Sequence, residues 1–195
     1  IAPGLQAGAD WLVRRGVSAD AVTLAGFALG LLGAALIALG QPAAGLLWLL
    51  ASRLADGLDG AVARATRPTD RGAFLDITLD FIFYASVPLA FALADPGANA
   101  LAAAVLLAAF VGTGSSFLAY AVLAARRGLT SLAYPAKGLY YLGGLTEATE
   151  TLACFALMCL WPAWFVPLAL GFAALCTLTL LARLHAGWHS LGDRV

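Results

Sequence analysis

Three stretches of this chain, Ala21–Ser52, Pro96–Ala125 and Thr151–Ala182, contain no Asp, Glu, Lys or Arg. A bilayer needs roughly 20 apolar residues per helix, and a run of about 18 is already a candidate span. These runs hold a full helix, and two of them also hold a turn and part of the next helix. The alternative is a very apolar soluble core. The chain is 62% hydrophobic and 11% charged, against about 25% charged in a soluble domain, and its mean hydropathy is +0.90. The expected fold is an all-α integral membrane protein.

Turn residues divide the runs. Gly40-Gln41-Pro42, Arg67-Pro68-Thr69-Asp70-Arg71, Asp95-Pro96-Gly97, Arg126-Arg127-Gly128 and Trp161-Pro162 each end a helix. Six transmembrane helices are predicted, near 19–39, 43–66, 70–94, 98–125, 138–160 and 163–185. An amphipathic segment at roughly 5–15 carries Leu5, Trp11, Leu12 and Val13 beside Arg14 and Arg15, and is expected to lie along the interface. The first apolar run follows Arg14 and Arg15 without a small-residue cleavage site, so it reads as a span rather than a removed signal peptide. The chain is expected to form a single membrane domain, with 1–18 as the interfacial helix, 19–185 as the six-helix core and 186–195 as a cytoplasmic tail.

With these spans, every Lys and Arg falls on one side. Arg14, Arg15, Arg67, Arg71, Arg126, Arg127, Lys137 and Arg194 lie outside the spans, and Arg53, Arg64 and Arg183 lie in the nearer halves of their helices. The positive-inside rule makes that side cytoplasmic, with both termini there. The expected location is the bacterial inner membrane. Trp161 and Trp164 suit the far interface, Trp11 and Trp188 the near one. Net charge is zero, which gives no argument for a nucleic-acid partner. Cys154, Cys159 and Cys176 lie in apolar runs and read as small packing residues. Gly26, Gly30 and Gly33 read as a face for close helix approach.

Against this background stands DGLDGAVARATRPTDRGAFLDITLD, residues 56–80, with Asp56, Asp59, Asp76 and Asp80. A charged side chain at the bilayer centre costs about 2.5–3.5 kcal/mol, so four uncompensated aspartates would cost on the order of 10 kcal/mol, comparable to a domain's whole stability. They must face water or meet a cation. At about 100° per residue, Asp59, Ala63, Asp56, Gly60 and Arg64 share an arc of roughly 140°, and Gly72, Asp76 and Asp80 form a second stripe. The short linker Arg67–Arg71 makes the two helices antiparallel neighbours, so the carboxylates converge in the cytoplasmic half of the membrane. Oxygen ligands without a nearby His or Cys suit Mg²⁺, Mn²⁺ or Ca²⁺. Two divalent ions about 3.5–4 Å apart would neutralise the cluster and polarise a phosphate. Gly57, Gly60, Ala61, Ala63 and Gly72 leave room for a bulky ligand. The plainer alternative pairs the aspartates with Arg53, Arg64, Arg67 and Arg71, but pairing alone requires neither the small-residue face nor the stripes.

At these residues the sequence resembles the CDP-alcohol phosphotransferase family, whose signature is D-x2-D-G-x2-A-R, about eight residues, then G-x3-D-x3-D. Here it reads Asp56, Asp59, Gly60, Ala63, Arg64, a spacer of seven residues, then Gly72, Asp76 and Asp80. The spacer is one residue shorter than the commonest form and falls in an interhelical loop. The resemblance implies a six-helix core, commonly a homodimer, that uses Mg²⁺ or Mn²⁺, two ions being expected. It implies metal ligation by Asp56, Asp59, Asp76 and Asp80, a CDP seat bordered by Gly60, Ala63, Arg64 and Gly72, and Asp80 as general base. Asp20 and Thr23 stand where the family often has Asn and Thr near the nucleotide, so Thr23 and Asp56 join the expected CDP contacts. The implied reaction transfers a phosphatidyl-type group from a CDP-linked lipid donor, CDP-diacylglycerol being expected, to a small alcohol acceptor, with release of CMP.

The acceptor is less legible. Arg126, Arg127 and Lys137 suit an acceptor phosphate, as in glycerol 3-phosphate or inositol phosphate. The alternative is contact with anionic membrane lipids, preferred for the Arg pair. Glu147 and Glu150 suit a hydroxylated or cationic acceptor, with Tyr134, Tyr140 or Tyr141, or else hydrogen bonds between helices, which is the preferred reading. A non-phosphorylated acceptor such as choline or inositol stays open. His185 and His189 flank Trp188 and read as an interfacial helix rather than a metal site. An intramembrane prenyltransferase would typically have two separated aspartate motifs. A divalent-cation transporter would explain buried aspartates, but not the G-x2-A-R extension.

Overall fold

The computed structural model describes residues 3–127 and 146–192. It is helical, with no strand among the described residues. The chain divides into two compact units, Ile1–Pro96 and Gly97–Val195.

The first unit contains α1 (Pro3–Arg14), α2 (Ala19–Ala38), α3 (Pro42–Ala65) and α4 (Asp70–Ala94). Local chemistry sets their ends. Ser18 caps α2, its Oγ accepting from the Ala21 N–H at 3.3 Å. Gly40 supplies φ +77° at the turn into α3, and Pro42 occupies the first turn of α3, where no N–H is needed. Thr69 caps α4 through the Gly72 N–H at 3.0 Å.

α2 packs against α3 and α4, and α1 packs against α3. The expected glycine face makes the first contact possible. A Cβ on Gly33 would stand 2.9 Å from the Gly45 carbonyl oxygen, and one on Gly30 would stand 2.5 Å from the Phe83 ring. Backbone therefore meets backbone between α2 and α3, as small residues permit. Ala9 of α1 is buried against Ala61 and Val62 of α3, while Arg15 stacks over Trp11 at 4.8 Å.

The second unit contains α5 (Pro96–Arg126), α6 (Ala148–Leu160) and α7 (Phe165–Leu191), with a single 3₁₀ turn, Pro162–Trp164, leading into α7. Phe110 of α5 meets Phe155 and Phe172 edge-to-face. Cys154, Cys159 and Cys176 are free and buried, as packing residues should be. Arg183 of α7 donates to the Thr113 carbonyl of α5 at 3.0 Å.

Among the described residues, four helical stretches are long and apolar enough to cross a membrane: Ala19–Ala38, Asp70–Ala94, Pro96–Arg126 and Pro162–Leu191. The surface bears Leu24, Phe74, Leu101, Val111 and Leu178, side chains suited to lipid rather than water. α3 has the length, 24 residues, but carries Arg53, Asp56, Asp59 and Arg64. The helix expected near 138–160 begins at Ala148 among the described residues. Glu147 and Glu150 form a capping box, the Glu150 carboxylate accepting from the Glu147 N–H at 3.1 Å. Among the described residues these hydrogen bonds lie within the helix itself, not between helices. α6 is 13 residues, about 20 Å, shorter than a bilayer core of about 30 Å. The last helix continues past 185 to Leu191, and His185 and His189 contact each other on it, with centroids 4.5 Å apart.

Candidate active site

The site lies within the first unit. Asp56 comes from α3, and Asp76 and Asp80 come from α4 one turn apart. One carboxylate oxygen from each lies within 4.8 Å of the others. Asp59 stands outside this trio but lines the same small cavity, together with Thr23, Gly26, Ser52 and Arg53. It is 6% exposed. Its Oδ2 is buried with no hydrogen-bond partner among the described residues, which leaves a carboxylate oxygen available to a ligand.

A larger cleft of about 450 Å³ adjoins this cavity, and Thr23, Asp59 and Asp76 line both. That size falls in the range of about 300–1,000 Å³ usual for small-molecule pockets. Gly60, Ala63 and Gly72 form part of its wall, with Asp20, Thr69 and Arg71 towards the start of α4. A Cβ on Gly72 would stand 3.2 Å from both Asp20 Oδ1 and Thr69 Oγ1, so glycine keeps this corner open. Arg71 Nη2 bonds Asp20 Oδ2 at 2.6 Å although its side chain is 83% exposed. Arg64 is exposed and stands beside Gly60, its Nη1 being 3.2 Å from where a Cβ would lie. It is not part of the cleft wall.

The sequence left open which arginine meets the aspartates, and the structure selects Arg53. Its Nη1 lies 2.6 Å from Asp80 Oδ1 and 3.4 Å from Asp56 Oδ1. Arg71 instead pairs with Asp20. A signal for Arg53 was present: it is the one cation upstream of Asp56 within its helix, at i−3, a helical neighbour spacing. One guanidinium against four carboxylates leaves the cluster strongly acidic. Its all-oxygen donors, its uncompensated charge and the orphan Asp59 oxygen together fit a hard divalent cation.

Among the expected acceptor residues, Arg126 is in the last turn of α5 and Glu147 caps α6. Lys137, Tyr134, Tyr140 and Tyr141 lie outside the described residues.

Comparison with known proteins gives a consistent picture. Residues 17–184 match the CDP-alcohol phosphatidyltransferase family. The chain is 52% identical over 180 residues to the inner membrane protein YnjF of Escherichia coli K12, covering 92% of this chain and 87% of that protein. Two crystal structures of phosphatidylinositol phosphate synthase (PgsA1) from Mycobacterium tuberculosis superpose with a TM-score of 0.68 at 25% identity. The one with CDP-DAG bound covers 94% of this chain and 93% of its own. The one in complex with manganese and citrate covers 94% and 88%. With a match over most of its length and the signature aspartates gathered around one cavity, the chain belongs to the CDP-alcohol phosphatidyltransferase family and is an enzyme of that class.

Proposed function

We infer that the protein transfers a phosphatidyl group from CDP-diacylglycerol to a small alcohol and releases CMP. The observation that carries this reading is the convergence of Asp56, Asp76 and Asp80 within 4.8 Å, beside a cleft walled by Gly60, Ala63 and Gly72. The neighbour solved with CDP-DAG supports the donor, and the neighbour solved with manganese supports a divalent cation.

In this reading Asp56, Asp59, Asp76 and Asp80 hold two Mg²⁺ or Mn²⁺ ions. When bound, such ions neutralise the diphosphate and lower the cost of the charge that develops on departing CMP. Thr23, Asp56, Gly60, Ala63 and Gly72 seat the CDP moiety, and Arg64 reaches it from the rim. Asp80 takes the proton from the acceptor hydroxyl, as a carboxylate within reach can. The acceptor oxygen bonds to the β-phosphorus, and the bond from that phosphorus to the bridging oxygen breaks. Positioning and charge neutralisation dominate catalysis of this kind.

The acceptor is proposed to be a polyol phosphate held by Arg126 and Lys137. Glu147 already serves its helix cap, so it is a weaker candidate for that contact. Choline or inositol is the alternative. The whole chain is read as one domain with six spans, the four long apolar helices joined by α3 and α6. It is placed in a bacterial inner membrane as a homodimer, with the site and both termini cytoplasmic. The one-sided Lys and Arg distribution and the relative named an inner membrane protein support that placement.

The test is CMP release by the purified protein from CDP-diacylglycerol with Mn²⁺ or Mg²⁺, across polyol phosphates, polyols and amino alcohols. Release with one acceptor class is expected. Absence of release with every class, alongside Mn²⁺ flux into liposomes, would replace this reading with a cation transporter.

A further inference from the structure

The acidic cluster carries a cation of its own. Arg53 bridges Asp56 on its own helix and Asp80 on the next. Its Nη2 donates to Ser52 Oγ at 3.3 Å. Its guanidinium carbon lies 3.8 Å from the Phe83 ring centroid and 5.8 Å from that of Tyr84. The side chain is only 12% exposed. Loose surface pairs have little effect, but a guanidinium packed between carboxylates and aromatic faces is strongly coupled to both. Its Nε remains buried with no hydrogen-bond partner among the described residues, so the side chain is anchored by charge and ring contact rather than by a complete set of hydrogen bonds.

The carboxylates that Arg53 touches are two of the three that form the candidate metal cluster. Two cations drawn to the same oxygens in a partly buried site repel each other strongly. We propose that Arg53 is the resident counter-cation of this site and competes with a divalent cation for Asp80 and Asp56. The proposal rests on reading the carboxylates as a metal site. Without metal, Arg53 ties α3 to α4 and relieves repulsion among the aspartates. With metal, Asp80 is released from Arg53, and the Phe83 and Tyr84 rings continue to hold the guanidinium. Arg53 is thus a positioning residue that sets how much metal the site needs before it is loaded.

Mn²⁺ binding to the whole protein in detergent, with neither nucleotide nor acceptor, separates this from a purely structural role. Free Mn²⁺ is followed by its electron paramagnetic resonance signal for wild type, R53Q and R53K. Removing the charge should tighten Mn²⁺ binding by about tenfold or more, whereas Lys, which keeps the charge, should stay within about threefold of wild type. Thermal unfolding should show R53Q destabilised in EDTA and restored by Mn²⁺. Equal or weaker Mn²⁺ binding by folded R53Q overturns the proposal. So does an R53Q protein that Mn²⁺ fails to restore, because the metal is expected to take over the role of Arg53. If wild type binds no Mn²⁺, the metal reading itself fails and the competition fails with it.

Discussion

The two units of this protein are both built from long apolar helices, yet they use their polar residues in opposite ways. In the first, α2, α3 and α4 bring Asp56, Asp59, Asp76, Asp80 and Arg53 around one cavity. In the second, Arg183 bonds a backbone carbonyl of α5, Glu147 and Glu150 close their own helix end, and the buried side chains include Phe155, Phe165, Phe172 and the cysteines. The physical distinction is helix spacing. Glycines at 33 and 45 bring α2 and α3 to backbone distance and those at 26 and 30 admit Ala55 and Phe83, whereas the second unit sets Phe110 against Phe155 and Phe172 and has one close glycine contact, Gly112 with Leu180. Close packing around polar side chains builds a chemical site, and ring packing builds a scaffold.

The largest contrast should come from the carboxylates. Asp80→Asn is expected to lower CMP release by about 10²–10⁴-fold, the usual worth of a positioned base, while leaving CDP binding largely intact. Near-normal turnover in that variant would remove Asp80 from the base role. Asp56→Asn should weaken Mn²⁺-dependent nucleotide binding by about tenfold or more, measured by titration with a CDP analogue at fixed Mn²⁺. Unchanged affinity would take Asp56 out of the ligand set.

Packing comes next. Gly33→Val places a side chain 2.9 Å from the Gly45 carbonyl oxygen and should destabilise the protein by about 1–3 kcal/mol, read as a lower unfolding midpoint in detergent. An unshifted midpoint would mean that the close approach of α2 and α3 is not needed. The smallest effect is expected in the second unit, where a Cβ on Gly171 meets nothing within 4 Å. Gly171→Ala should be neutral or stabilising by up to about 1 kcal/mol, with CMP release unchanged. A lowered unfolding midpoint in Gly171→Ala would show that the space beside Gly171 is needed for packing.

Much of the first unit was legible because its signals are local. The turns expected at Gly40-Gln41-Pro42 and Arg67–Arg71 fall where the structure ends one helix and starts the next, and the span expected from residue 19 begins at Ala19. The Asp76–Asp80 stripe follows from helical pitch alone. The second unit was less legible at α6, where no Pro marks a helix start within the expected span 138–160 and the Glu147–Glu150 capping box starts the helix at Ala148. That box has the spacing of a cap, but glutamate is not a usual cap residue, so it is a weak start signal.

By itself, the sequence determined the solvent this chain is built for, because its uncharged runs exceed what a water-soluble fold requires. It also determined the chemistry available, because four aspartates at helical spacings with small residues between them admit few uses in a membrane. Only the tertiary structure decided which charge answers which. Arg53 rather than Arg64, Arg67 or Arg71 meets Asp80, a partner 27 residues away in the chain, and Asp59 stays outside the trio that the other carboxylates form. Pitch assigns a residue to a face of its own helix, but the rotation and depth of one helix against another are set by how closely their backbones pack. In α2, α3 and α4 that closeness comes from glycines, and it brings the arginine between two of the aspartates.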